Sequence, residues 1–170
     1  MNLRLRPLRL DDEAEYRAAH AELAADGFVF GFIRHGESFA EHVRQTHDLR
    51  YGRNVPAGLV ESSFLLADVD GDLVGRTSIR HVLNDDLARH GGHIGYAVRP
   101  AFRRRGYASE ILRQSLVIVR SYGVERVLVT CNDTNVGSAA VIEACGGALE
   151  RVVPAAASDG GVAFRRYWIA

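Results

Sequence analysis

The stretch Gly91-Gly92-His93-Ile94-Gly95-Tyr96-Ala97-Val98-Arg99-Pro100-Ala101-Phe102-Arg103-Arg104-Arg105-Gly106-Tyr107-Ala108 reads as a strand, a turn and the first turn of a helix. His93 to Val98 is apolar, aromatic and β-branched enough for a strand. Pro100 stops it, because proline has no N–H for the ladder. From Ala108 an apolar stripe runs through Ile111, Leu112, Ser115, Leu116 and Val119 at helical spacing. Arg103 to Ala108 therefore falls at a helix N-terminus. Such an end presents free N–H groups and the positive end of the helix dipole, which suits phosphate. Gly106 has no Cβ to keep a ligand off the backbone, and Ala108 is small. Arg103, Arg104 and Arg105 add charge and forked donors. The stretch reads as a cradle for a diphosphate; the alternative is a solvated basic turn capping an ordinary helix.

The whole chain has 170 residues, which predicts one domain over residues 1–170 with a core of its own. Its 21 basic residues balance 21 acidic ones, so no global basic face points to nucleic acid. Every basic residue is arginine. A Schiff-base lysine and a Walker A phosphate loop are both excluded, since each needs lysine. Cys131 and Cys145 lie far apart in sequence and in no Cys/His cluster, so free thiols are expected and a metal site is not. No apolar run is long enough to span a membrane, and the Leu/Arg alternation at the start is no signal peptide. A cytoplasmic protein is the expectation.

Leu3 to Leu8 alternates apolar and basic residues and reads as an edge strand, with Pro7 in agreement. Asp11 and Asp12 look like the cap of a helix to about Ala25. Phe28, Phe30 and Phe32 lie in the next loop; they line an acceptor pocket or belong to core between the first two helices. Ser38 begins a second helix to about Leu49, whose neighbouring His35, His42 and His47 read as solvated residues rather than ligands. Ser63 to Val69 and Leu73 to Val82 form a hairpin about Asp70-Gly71. Asn84 to Gly92 is a polar loop. After the central strand and its helix come a strand (Arg126 to Cys131), a short helix (Val136 to Ala144) and a final strand pair (Ala148 to Val153, Ala163 to Ile169). Ala155 to Gly161 is their flexible connection. The order β-α-α-β-β-β-α-β-α-β-β predicts an α/β (α+β) fold, a mixed sheet with helices on its faces.

The spacing of Arg103, Gly106 and Ala108 resembles the acyl-CoA-binding signature of the GNAT superfamily of N-acetyltransferases, Q/R-x-x-G-x-G/A. Ile94, Gly95, Tyr96, Val98 and Pro100 resemble that family's fourth strand. The resemblance covers essentially the whole chain and is most specific over Ile94 to Ala108 and Asn132 to Gly147. It implies a mostly antiparallel twisted GNAT-like sheet, and acetyl-CoA as co-substrate held by Ala97, Val98, Arg103, Arg104, Arg105, Gly106, Tyr107 and Ala108. It further implies acetyl transfer to a primary amine by direct attack, and a homodimer paired through the C-terminal strands. No nucleic-acid or membrane partner is expected. A catalytically inactive acyl-CoA-binding sensor is the rival reading, and an unrelated phosphate-binding α/β domain is a third.

Asn132, Asn135 and Ser138 recur at a spacing that puts them on one face of a helix start. They cap that helix, or, as the resemblance implies, Asn135 and Ser138 also bond the pantetheine arm, whose amides match an amide side chain. Many family members carry a tyrosine seven residues after this Asn as general acid on the thiolate; here the position is Ile142. Tyr96, Tyr167 and Cys131 are the remaining candidates for the acid. Backbone N–H groups from Tyr96 to Val98 could polarise the thioester carbonyl. For the general base His93 comes first, because its strand flanks the thioester and histidine titrates near neutrality. His81 and Glu61 come second, acting directly or through water. The alternative for His93 is a structural histidine bonded to the Asp85/Asp86 loop.

Overall fold

The computed structural model describes residues 2–156 and 161–170. Its elements are β1 (Leu3–Pro7), α1 (Glu13–Ala24), α2 (Phe39–Arg50), β2 (Ser62–Val69), β3 (Asp72–Arg80), α3 (Asp85–Arg89), β4 (Ile94–Val98), α4 (Tyr107–Ser121), β5 (Val127–Asn132), α5 (Val136–Ala144), β6 (Ala148–Val153) and β7 (Phe164–Ile169). Single 3-10 turns precede α1 and follow β4.

Strands β1-β2-β3-β4 form one sheet in that order, and β5-β7-β6 form a second. Every paired strand runs antiparallel to its neighbour. β1 takes the edge, where Pro7 is harmless. At the β2–β3 hairpin Asp70 and Gly71 both have positive φ, 54° and 99°. That is the backbone twist a two-residue hairpin turn demands. β2 and β3 are buried along nearly their whole length. This explains why Phe64-Leu65-Leu66-Ala67 reads as a continuous apolar run rather than an alternating one.

Two helical layers cover the first sheet. On one side Tyr16 and Leu23 of α1 and Phe39 and Val43 of α2 pack on Phe64, Leu66 and Ala97. On the other, α4 lays Leu112, Leu116 and Val119 against Leu65, Ile79 and Ile94 of the first sheet and Val127, Val129, Tyr167 and Ile169 of the second. One amphipathic helix thus joins both sheets. Its polar stripe residue, Ser115, donates to the Ile111 carbonyl (2.7 Å), and its Oγ lies 3.0 Å from Thr77 Oγ1, whose hydroxyl it can accept, so its burial leaves no orphan.

Three expectations need correction. Asn84 to Gly92 is not wholly loop: α3 forms there because the Asn84 side chain accepts the Leu87 N–H (2.9 Å), with Asp85 and Asp86 in its first turn and Arg89 in its last. Asp12 gives α1 no side-chain cap. Its carboxylate instead accepts the Arg9 N–H (2.7 Å) and both Nη atoms of Arg6 (2.8 and 2.7 Å). His42 is buried, 3% exposed, with Nε2 3.0 Å from the Tyr16 hydroxyl. Burial pushes its pKa down. Most of the connection before β7 lies at residues 157–160, outside the described residues.

Asp12 makes stability pH-dependent. Burial pushes its pKa up, but the Arg6 and Arg9 hydrogen bonds outweigh that and hold it below its usual value. A carboxyl depressed on folding contributes stability above its unfolded pKa, near 3.9, and loses it as pH falls through the folded value. Chemical denaturation at pH 7 and pH 3 should therefore show a smaller acid loss of stability in Asp12→Asn than in the wild type.

Candidate active site

The two sheets meet at one point and then part. His93 N–H donates to the Leu128 carbonyl (2.7 Å), and the Leu128 N–H donates to His93 Nδ1 (2.9 Å). An isolated bridge joins Gly92 to Val129 beside them. Beyond it no ladder links β4 to β5 among the described residues. The far edge of β4 is therefore open. Arg80 N–H bonds the His93 carbonyl and Arg99 N–H bonds the Val74 carbonyl. In an antiparallel ladder that register turns the intervening N–H groups of Tyr96 and Val98 away from β3, into the gap.

A cleft of about 700 Å³ fills this gap. Tyr96, Ala97 and Val98 line one wall; Arg103, Arg104, Gly106, Tyr107 and Ala108 form the end; Asn135 and Ser138 close the other side. These candidates come from three separated stretches and share one cavity. Arg105 is not among the lining residues; it donates to the Ala101 carbonyl (3.1 Å) and stacks over Phe102.

The cradle has the geometry of an anion site. Gly106 stands at the N-cap of α4 with φ 81°, left-handed backbone that glycine adopts without strain. It offers no capping side chain, so the first N–H groups of α4 keep no partner from the cap. Arg104 also has positive φ, 62°. Arg103 is partly committed: its Nη2 lies 2.7 Å from Asp26 and its Nε 3.2 Å from the Val98 carbonyl.

Across the cleft the Tyr96 hydroxyl lies 2.9 Å from Ser138 Oγ. Burial raises its pKa, only partly offset by that hydrogen bond, so it holds its proton at neutral pH. Asn135 Oδ1 accepts the Ser138 N–H (3.0 Å), so capping is a role this side chain fulfils within the fold. Ile142 is fully buried in the core. Tyr167 donates to Glu143 Oε1 (2.9 Å), away from the cleft-lining set. Cys131 and Cys145 are free, half-buried thiols.

The three candidates for the base lie elsewhere. His93, 8% exposed, is the staple at the apex of the gap and not bonded to the Asp85/Asp86 region. Its Nδ1 accepts a backbone N–H and burial lowers its pKa, so the neutral ring is the stable form. His93→Ala would leave the buried Leu128 N–H without a partner, at a cost of about 1–3 kcal/mol. Urea denaturation should show that loss. His81 Nε2 lies 2.9 Å from Ser63 Oγ and its ring stacks on Tyr122 at 3.6 Å. Glu61 is exposed beside Gly52. None of the three lines the cleft.

Sequence reasoning missed Asp26, Leu23, Phe102, Ser109, Gly137 and Val141 as cleft residues. The end of α1 reaches the cleft only by folding over β4, where Glu22 clasps Arg99 at 2.6 and 2.9 Å. The three phenylalanines divide: Phe30 is core against Tyr16, Phe28 lines the cleft, and Phe32 lines a second cavity.

The model of the acetyltransferase (GNAT) domain matches residues 2–148. The chain belongs to that family, and acetyl-CoA is the co-substrate that fits it. No curated protein sequence matches. Among solved structures the chain is similar to yncA from Salmonella typhimurium, solved with its cofactor acetyl-CoA, at 12% identity and TM-score 0.69 over 99% of this chain and 94% of that one. It is similar to Mycobacterium smegmatis RimJ in complex with CoA-disulfide, at 20% identity and TM-score 0.69 over 98% and 81%. A spermidine N-acetyltransferase SpeG chimera from Vibrio cholerae and hSSAT matches at 15% identity and TM-score 0.68 over 99% and 95%. At such identities these likenesses speak to the fold. No helix among the described residues is long and apolar enough to cross a membrane.

Proposed function

We propose that this protein transfers an acetyl group from acetyl-CoA to a primary amine. The observation that carries the reading is the single cleft shared by the Arg103–Ala108 cradle, the open edge of β4 and the start of α5. A diphosphate fits the N-terminus of α4, where free N–H groups and the helix dipole face it. The thioester end lies along β4, where the Tyr96 and Val98 N–H groups offer donors to a carbonyl oxygen gaining negative charge. The amine nitrogen bonds to the acetyl carbon, the C–S bond breaks, the thiolate takes a proton from Tyr96, and the proton the amine gives to water returns through solvent to the tyrosinate.

Tyr96 is the proton donor we assign to the thiolate: it lines the cleft, keeps its proton and is aligned by Ser138. Holding both reactants side by side supplies much of the acceleration, without a covalent enzyme intermediate. The amine must reach the carbon unprotonated, and His93, His81 and Glu61 all stand outside the cleft. We therefore assign no base among them, and the amine gives its proton to water.

The inactive-sensor reading has one observation behind it, the buried Ile142 where many relatives carry tyrosine. Release of CoA thiol across a panel of amines separates the two. Amine-dependent release supports the transferase; acetyl-CoA binding with no release from any amine favours the sensor. Asn135→Ala should weaken acetyl-CoA binding about tenfold, by loss of the α5 cap and of an amide partner for the pantetheine arm. Calorimetry reads this. An equal loss for a nucleotide lacking pantetheine would leave capping as Asn135's only role.

A further inference from the structure

Arg76 and Arg80 lie on β3, and neither has a carboxylate within ion-pair distance among the described residues. Arg76, 3% exposed, spends its donors on backbone: Nε to the Phe30 carbonyl (2.9 Å), Nη2 to Val29 (2.7 Å) and Nη1 to Gly95 (2.9 Å). Its guanidinium packs against Phe28 and Phe32, one from each cavity. Arg80 has only a long bond, from Nη1 to the Gly92 carbonyl (3.4 Å). Most of its fork is unspent.

Both guanidiniums flank the bare backbone of Gly95. A Cβ there would stand 3.4 Å from Arg80 Nη1 and 3.7 Å from Arg76 Nη1. Gly95 immediately precedes Tyr96, where the thioester lies under the proposed function. Arg80 also lines a second cavity of about 460 Å³ between α2, the β2–β3 sheet and α3. The rest of its wall is largely apolar, with Phe32, Phe64, Leu59 and Leu87. Of its other charged residues, Arg34 is paired with Glu37 at 3.4 Å and Asp86 is exposed.

We propose that this second cavity is the acceptor site, and that the acceptor is a small apolar amino acid whose carboxylate is gripped by Arg80. The inference rests on the transferase reading and deepens it. A cation with a spare fork, beside a second cation and with no acid within ion-pair distance among the described residues, matches a carboxylate in charge and shape. The same pair of cations disfavours an ammonium above Gly95, so it favours the neutral amine that attack requires. It also selects against acceptors that are purely cationic. The volume suits a small molecule.

The test uses L-leucine, L-leucinamide and isoamylamine, which share an apolar body and an amine and differ in the carboxylate. Acetyl transfer is measured by CoA release, and binding by calorimetry on the CoA-saturated protein. Leucine should exceed both neutral-ended analogues at least tenfold in kcat/KM and in affinity. Arg80→Gln should collapse that ratio toward one while acetyl-CoA affinity stays unchanged. Transfer to the analogues without any preference for leucine overturns the proposal and leaves the transferase standing. Carboxylate-dependent binding without transfer keeps the anion pocket and removes the transferase. Binding of none of the three overturns the proposal. The wild-type series decides even if Arg80→Gln does not fold, and leucine preference surviving in a folded Arg80→Gln assigns the carboxylate elsewhere and overturns the role of Arg80.

Discussion

Gly106→Glu should raise the dissociation constant for acetyl-CoA by a hundredfold or more, about 2.7 kcal/mol. Three effects point the same way. A glutamate at φ 81° sits in a region that L side chains avoid, at about 1–2 kcal/mol. Its side chain enters the end of the cleft, where Gly106 is a lining residue. Its carboxylate stands where the proposed diphosphate would, so like charges repel. Circular dichroism should remain that of a folded protein, because Gly106 lies at the exposed start of α4 and not in the core. A folded variant with unchanged affinity would remove the cradle assignment.

Arg76→Ala should produce the largest loss of stability of any single change named here, about 3 kcal/mol. The guanidinium satisfies carbonyls on Val29, Phe30 and Gly95, tying the loop after α1 to β4. Removing it takes the side-chain donors from the Val29 and Phe30 carbonyls, while Gly95 keeps its ladder partner Ser78, and opens a void between Phe28 and Phe32. Against this, burial and the neighbouring Arg80 push the Arg76 pKa down to about 9, so the charge itself is held at some expense. The net sign follows from what is lost: both loop anchors, on Val29 and Phe30, together with the void outweigh relief of one buried cation. Urea denaturation of the variant checks it. A variant as stable as the wild type would show that the loop is anchored by its phenylalanines alone.

Much of the fold was legible because its signals are local. From Ile111 on, the stripe Ile111, Leu112, Ser115, Leu116, Val119 is the buried face of α4, while Ala108, where it begins, is only half-buried. Val136 to Ala144 and Ala148 to Val153 have the bounds that their caps and glycines predict. The turn from Arg103 to the start of α4 was legible for the same reason, since it is continuous in sequence. What stayed hidden depends on distant partners. Asp12 looks like a cap until Arg6 of the neighbouring strand takes its carboxylate. His93 looks like a base until Leu128 of the other sheet takes its Nδ1. His42 looks solvated until Tyr16 of α1 covers it. Short α3 was missed because five residues give no period to read. The second cavity left no trace in any motif, because its wall is assembled from α2, β2, β3 and the loops between them.

The central claim is that the cleft between the two sheets holds acetyl-CoA. Calorimetric titration of acetyl-CoA into the wild-type protein tests it most directly. One site per chain, with micromolar or tighter affinity, is the expected result. No binding to a demonstrably folded protein would contradict the account and leave the cleft without its ligand.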